Sequence, residues 1–305
     1  MALSSAPSAR SATLSGAYAG PANVIGLARF AHWRGARTTV ALDYLNDSRW
    51  QDIARPSWYL RAWRGYTRRG GQLVLSVPLL VNASRGSFAA GARGTYDRYY
   101  RSLGRRLVTD GYGNAILRMG WEFNGTWFRW SLSRTDPAMG PHAFVLYWRH
   151  LVDLFRGVHG SHFSFDWTVN PGPGPVPAAG AYPGNAYVDY VGVDVYDRSW
   201  NRWGGRILSA RGRWHQIADQ PHGLNWWLGF ARAHGKRISI PEWGLYSNEW
   251  ANGAGDDPSF IIHMHRWFTQ HHPAYQMYFN WDDSELDTPG DPRASQVYRR
   301  LFGTF

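Results

Sequence analysis

The chain of 305 residues contains no cysteine and a single lysine, Lys236. Without cysteine there is no disulfide, no thiol nucleophile and no thiolate-bound zinc. No run of about 18 apolar residues occurs, so no helix of the sequence is fit to span a bilayer. The opening residues, from Met1 to Ala12, are small and polar and lack the apolar centre of a signal peptide. They are expected to form a flexible tail over 1–15, ahead of one domain over 16–305. A glycine-rich phosphate turn is missing after the first expected strand, where Gly26-Leu27-Ala28 stands, and so is a Gly-x-Ser-x-Gly nucleophile elbow. The net charge of +11 could suggest nucleic acid, but 33 basic residues less Lys236 leaves 32 arginines. They are dispersed without a basic run or nucleic-acid motif, so no nucleic-acid partner is expected. A basic surface still suits an anionic polymer or a cell wall.

What the chain has in excess is aromatic surface. Aromatics make up 16% of residues and 18 of them are Trp. Indoles offer broad flat faces at little side-chain entropy, and such an excess over core needs suggests a groove lined with rings.

Hydrophobic patterning predicts eight short strands, at 23–27, 38–42, 73–77, 115–119, 163–169, 188–195, 237–240 and 275–280. Phe30, His32 and Trp33 are read as lying in the loop after the first. Helical spacing covers 58–69, 96–110, 137–158, 224–233, a segment starting at Pro258, and 294–302. Pro171-Gly-Pro-Gly-Pro-Val-Pro177 reads as a stiff loop. Strands alternating with helices argue for parallel pairing, and eight of them in this length suit a single (β/α)8 TIM barrel in the α/β class. Such a barrel gathers the residues that end its strands on one face.

That rule brings together Asp43 and Tyr44, Glu122, Tyr196 and Asp197, Glu242, and Trp281 with Asp282. Glu122 and Glu242 each follow an apolar strand and each adjoin an indole, Trp121 and Trp243. The bland reading of Glu122 is a solvated strand-end residue beside an ordinary core. Paired with Glu242 across the barrel, it fits glycoside hydrolysis, in which one carboxyl donates a proton to the leaving oxygen and an ionised one meets the charge developing at the anomeric carbon. Trp127 and Trp130, in the loop after strand four, are read as sugar platforms rather than core. His263 and His265 lie two apart on a helix, share no face and have no acid to complete a ligand set, so neither metal nor cofactor is expected.

These motifs carry a resemblance. Arg118-Met-Gly-Trp-Glu-Phe-Asn-Gly-Thr-Trp-Phe-Arg-Trp130 resembles the fourth-strand motif of glycoside hydrolase family 26, among the retaining clan A barrels. Ile240-Pro-Glu-Trp-Gly244 is similar to the family's seventh-strand nucleophile motif, Tyr187 to Tyr196 to its sixth strand, and Phe165 to Pro171 to its fifth. The resemblance implies Glu122 as acid/base, Glu242 as nucleophile, Tyr196 as the nucleophile's partner and Trp281 as a sugar platform. Arg118, Trp121, Asn124, Trp127 and Trp243 complete the expected substrate-binding set. Family mannanases usually carry His before the acid/base, where Trp121 stands, and a Trp-His pair after strand three, where Val77 to Asn82 runs Val-Pro-Leu-Leu-Val-Asn. The expected activity is retaining cleavage of β-mannan or a related β-glycan by a monomer that is secreted or wall-associated. The alternative is a barrel that binds glycan without cutting it.

Overall fold

The computed structural model describes residues 12–135, 140–198, 208–246 and 253–305. Eight parallel strands form a closed barrel: β1 (Leu14–Tyr18), β2 (Val40–Tyr44), β3 (Gln72–Val77), β4 (Ile116–Met119), β5 (Ser164–Val169), β6 (Tyr190–Val193, resuming as Val195–Tyr196), β7 (Arg237–Gly244) and β8 (Tyr275–Phe279). Each pairs with the next, β6 closes on β7 through Tyr190 and Arg237, and β8 closes on β1 through Tyr275 and Leu14. This is the expected (β/α)8 class.

Tyr18, Val40, Leu42, Val74, Ile116, Tyr275 and Met277 cluster although they come from five strands, which is possible only inside the barrel. The alternate residues, Ala41, Leu75, Leu117, Phe165, Trp167 and Val193, join the larger core between barrel and helices. Pleating puts successive side chains on opposite faces, so one parity fills the lumen and the other meets the helices.

Ten helices accompany the strands among the described residues, and five matter below: α1 (Val24–Arg34), α3 (Ser57–Arg68), α7 (Ala210–Asp219), α8 (Leu224–Ala233) and α9 (Pro258–His271). The segment 23–27, expected as the first strand, is the start of α1, and Phe30, His32 and Trp33 lie in that helix rather than in a loop. Asn23 caps it by accepting from the Gly26 amide at 2.8 Å, and Leu27, Phe30 and Arg34 form the buried face. The true β1 reads Leu-Ser-Gly-Ala-Tyr, small residues that become a strand only through pairing on both edges. It begins at Leu14, within the stretch expected as tail; residues 1–11 of that stretch, like 137–139 of the expected helix 137–158, lie outside the described residues.

Candidate active site

The strand β4 ends in a sharp turn. Gly120 and Glu122 both hold positive φ, 52° and 49°, and a Cβ on Gly120 would meet the Leu79 side chain at 2.4 Å. A glutamate in the left-handed region is strained by about 1–3 kcal/mol, and such strain persists only where the surroundings impose it. Here the backbone is pinned: Gly120 donates to the Val77 carbonyl, Glu122 to that of Thr168, and Gly125 to that of Glu122. The turn aims the Glu122 carboxyl over the barrel mouth.

Glu122 is buried and each of its oxygens accepts from a neutral donor, the Asn170 amide at 2.8 Å and the Trp127 indole at 2.8 Å. Burial pushes its carboxyl above the usual range, and the Glu242 charge pushes the same way, against these two hydrogen bonds and Arg118. Asn124 holds Asn170 in place: its amide donates to the Asn170 carbonyl at 2.7 Å and its oxygen accepts from the Asn170 amide at 2.9 Å.

Glu242 reaches the lumen through a β-bulge. Ile240 pairs with Gln276 and Trp243 with Tyr278, so β7 spends three steps where β8 spends two. Ile240 and Trp243 both point to the outer core. The extra residue therefore turns Glu242 inward, where unbroken alternation would have aimed it at the helices. There it ion-pairs with Arg118 Nη1 at 2.5 Å and accepts from the Tyr196 hydroxyl at 2.8 Å.

Arg118 is fully buried in the lumen. Besides Glu242 it pairs with Asp194 and donates to Ser76 Oγ at 3.0 Å and Thr168 Oγ1 at 3.1 Å, with the Tyr44 hydroxyl at 3.4 Å. One guanidinium thus serves two buried carboxylates, which would be untenable without it. The Trp121 ring lies over Arg118 at 5.6 Å and packs on Tyr44 and Trp130.

Several expected roles change with these positions. Arg118 and Asn124 are enclosed, and their hydrogen bonds position Glu242 and Asn170. Trp121, 5% exposed, lies over Arg118 on the Glu242 side. Trp243 is wholly buried, packed against Phe268, Tyr278 and Phe302, with its indole donating to Gln276 at 2.6 Å. As the neighbour of an inward residue it must face the helices. Trp130 is core too, donating to the Trp121 carbonyl and stacked on Phe128. Trp127 and Trp281 are 43% and 40% exposed at the mouth. Trp281 rests on Gly20, where φ is 99° and a Cβ would strike its ring at 2.4 Å. Asp43 and Asp197 face outward, bound to the Trp63 indole and to Arg213. His263 is taken up by the Ser259 carbonyl and the Trp214 ring, and His265 by Phe302.

Tyr44 stands among the expected strand ends without a role, and Asn170 and Asp194 stand outside that group. Tyr44 and Asn170 end strands at inward positions. Asp194 interrupts the apolar run of β6, and a charge inside such a run was its signal, since a buried carboxylate demands a partner.

The family model for glycosyl hydrolase family 26 matches residues 110–219. Endoglucanase H of Acetivibrio thermocellus is 30% identical over 224 residues, 69% of this chain; the chain spans only 22% of that protein's length. Among solved structures, a modular endo-β-1,4-mannanase from Cellulomonas fimi is 19% identical with a TM-score of 0.67, over 95% of this chain and 70% of its own. The catalytic domain of a family 26 endo-β-1,4-mannanase from Bacillus sp. JAMB-750 is 17% identical with a TM-score of 0.64, over 96% and 86%. The two solved structures share the barrel, and the matched segment spans Arg118, Glu122, Asn170, Asp194 and Tyr196. The chain is a glycoside hydrolase family 26-like (β/α)8 protein.

Proposed function

We propose that this family 26-like glycoside hydrolase cleaves a β-linked polysaccharide by double displacement, with Glu242 as nucleophile and Glu122 as acid/base. One observation carries the assignment, the different company of the two carboxyls. Glu242 meets a guanidinium and a phenol, which suit an anion able to attack the anomeric carbon. Glu122 meets only neutral donors in a buried setting that favours its protonated form.

In the first step a Glu242 oxygen bonds to the anomeric carbon while the Glu122 proton passes to the departing glycosidic oxygen. Glu242 is then an ester without charge, so its share of the upward push on Glu122, added to that of burial, is gone, and Glu122, now ionised, takes a proton from water. The resulting hydroxide equivalent displaces Glu242 and the sugar leaves with retained configuration. Arg118 and Tyr196 hold Glu242 in line throughout.

The substrate is β-mannan or a related β-glycan. Trp121 replaces the histidine usual in mannanases, and the curated relative is named an endoglucanase, so β-glucans belong on the first panel beside mannans. A polymer cannot enter a cell intact, which fits a secreted or wall-associated monomer whose catalytic unit starts with β1 at Leu14. Fractionation and gel filtration test those two points.

Two variants on an aryl β-glycoside test the roles. Glu122→Ala should still form the glycosyl-enzyme, because an activated leaving group needs no proton, then stall, and azide should release a β-glycosyl azide. Glu242→Ala should hydrolyse nothing by itself, and any azide product it gives should be the inverted α-glycosyl azide, formed in a single displacement. A retained β-glycosyl azide from Glu242→Ala, with the α-product from Glu122→Ala, would reverse the roles. A wild-type chain that binds polysaccharide yet releases no reducing ends would instead be a glycan-binding barrel.

A further inference from the structure

We propose that Trp58, backed by Tyr59, is an outlying sugar platform on the catalytic face, which binds a unit of the β-glycan chain beyond those at the cut bond. The proposal rests on the glycan-hydrolase reading above and extends its surface.

Trp58 is the second residue of α3. α3 is the helix that leads into β3, so it carries the chain back toward the amino ends of the strands. The first turn of α3 therefore stands level with the strand ends that bear Glu122 and Glu242. Trp58 is 62% exposed, and its ring lies 3.8 Å from that of Tyr59 at an interplanar angle of 33°. The Tyr59 hydroxyl bonds Asn46, just beyond β2, and the Asp43 charge acts on both Tyr59 and Tyr18. Tyr18 in turn meets Trp281, with centroids 6.4 Å apart, and feels the charge of Glu242. Tyr59 and Tyr18 thus both lie near the Asp43 end of β2, with Trp58 packed on Tyr59 and Trp281 on Tyr18.

The distribution of exposed indoles points the same way. Among the described residues the exposed tryptophans are Trp58, Trp127, Trp226 and Trp281. Trp127 and Trp281 follow β4 and β8 directly. Trp226 is in the first turn of α8, whose approach is tied to the loop after β5 by the Gly172 amide donating to the His222 carbonyl at 2.7 Å. Trp58 and Trp226 thus stand in the first turns of their helices, and Trp127 and Trp281 follow strand ends. The four exposed indoles are therefore grouped toward one end of the barrel, which a scatter of single exposed apolar residues would not produce. The C–H face of a pyranose is the matching ligand for an indole held rigid on a helix.

The test compares wild type, Trp58→Ala and Trp58→Phe on a soluble β-glycan and on a short aryl β-glycoside, alongside affinity electrophoresis in gels containing the same polymer. Trp58→Ala should lower kcat/KM on polymer about 3- to 10-fold, as expected for the loss of one ring contact. It should reduce retardation in the gel and leave the aryl glycoside rate unchanged, while Trp58→Phe keeps most of the polymer activity. Polymer kinetics and retardation equal to wild type in Trp58→Ala would overturn the platform. An equal loss on the short glycoside would also overturn it, by making the effect one of folding. Retardation that depends on Trp58 without any hydrolysis by wild type would support the platform and reject the hydrolase.

Discussion

Glu122 and Glu242 are chemically the same side chain, and their neighbours make them differ. The Trp127 indole is the more informative of the two donors on Glu122, because it is half in solvent and contributes a single N–H. That hydrogen bond favours the carboxylate and so opposes the upward push of burial. Removing it while keeping a ring, as in Trp127→Phe, should raise the Glu122 carboxyl further. Glu122 must be protonated to act as acid, so the alkaline limb of kcat/KM should move to higher pH. A pH profile on a substrate with a poor leaving group measures this. A limb that stays put would mean that the indole does not set the acid. The rate on an activated aryl glycoside, which needs no acid in its first step, should change less.

At the scale of the element, the decisive feature is the bulge in β7. It lets Ile240 and Trp243 both face the helices, three residues apart, while Glu242 turns to the lumen. Trp243 is then the outward anchor of the strand that bears Glu242, clasped by Phe268 of α9 and by Tyr298 and Phe302 near the chain's end. Trp243→Ala should lower stability by about 3–5 kcal/mol, the range for deleting a large buried aromatic. Urea unfolding checks it. Unchanged stability with weakened polymer binding would return Trp243 to the substrate-binding set. Patterning alone could not separate Trp121, Trp130 and Trp243 from Trp127 and Trp281, because an indole next to a strand end reads alike whether it faces core or cleft.

For the whole molecule, outward carboxyls tie the barrel to its shell. Asp43 is buried and accepts from the Trp63 indole and the backbone amides of Ala22 and Tyr44, yet burial pushes it up to about 6. A carboxyl whose folded value exceeds its unfolded value holds its proton longer when folded. Its contribution to stability is full below about 4 and is lost as pH rises through about 6. Against Asp43→Asn, which does not titrate, wild type should lose about 2 kcal/mol between pH 4 and 7. Denaturation of both proteins at several pH values measures this. A flat difference would mean that the three donors hold the anion. Asp197, next to Tyr196 and pushed up to about 7 by burial against the pull of Arg213, works in the same direction.

By itself the sequence determined the barrel, because seven of its strands are runs whose apolar parity and spacing are local properties. It also determined the two glutamates, each a charge set at the end of such a run. The first strand escaped it: Leu-Ser-Gly-Ala-Tyr has no strand preference of its own and pairs only because β2 and β8 flank it. The roles around the glutamates were decided by tertiary structure. Arg118 looked like a substrate ligand until the lumen joined it to Asp194 and Glu242, residues 76 and 124 positions away. Asn170 entered only when Asn124, 46 residues earlier, fixed its backbone. A hydrogen bond or an ion pair depends on where two side chains meet in space, and the local pattern of hydrophobicity carries no record of that.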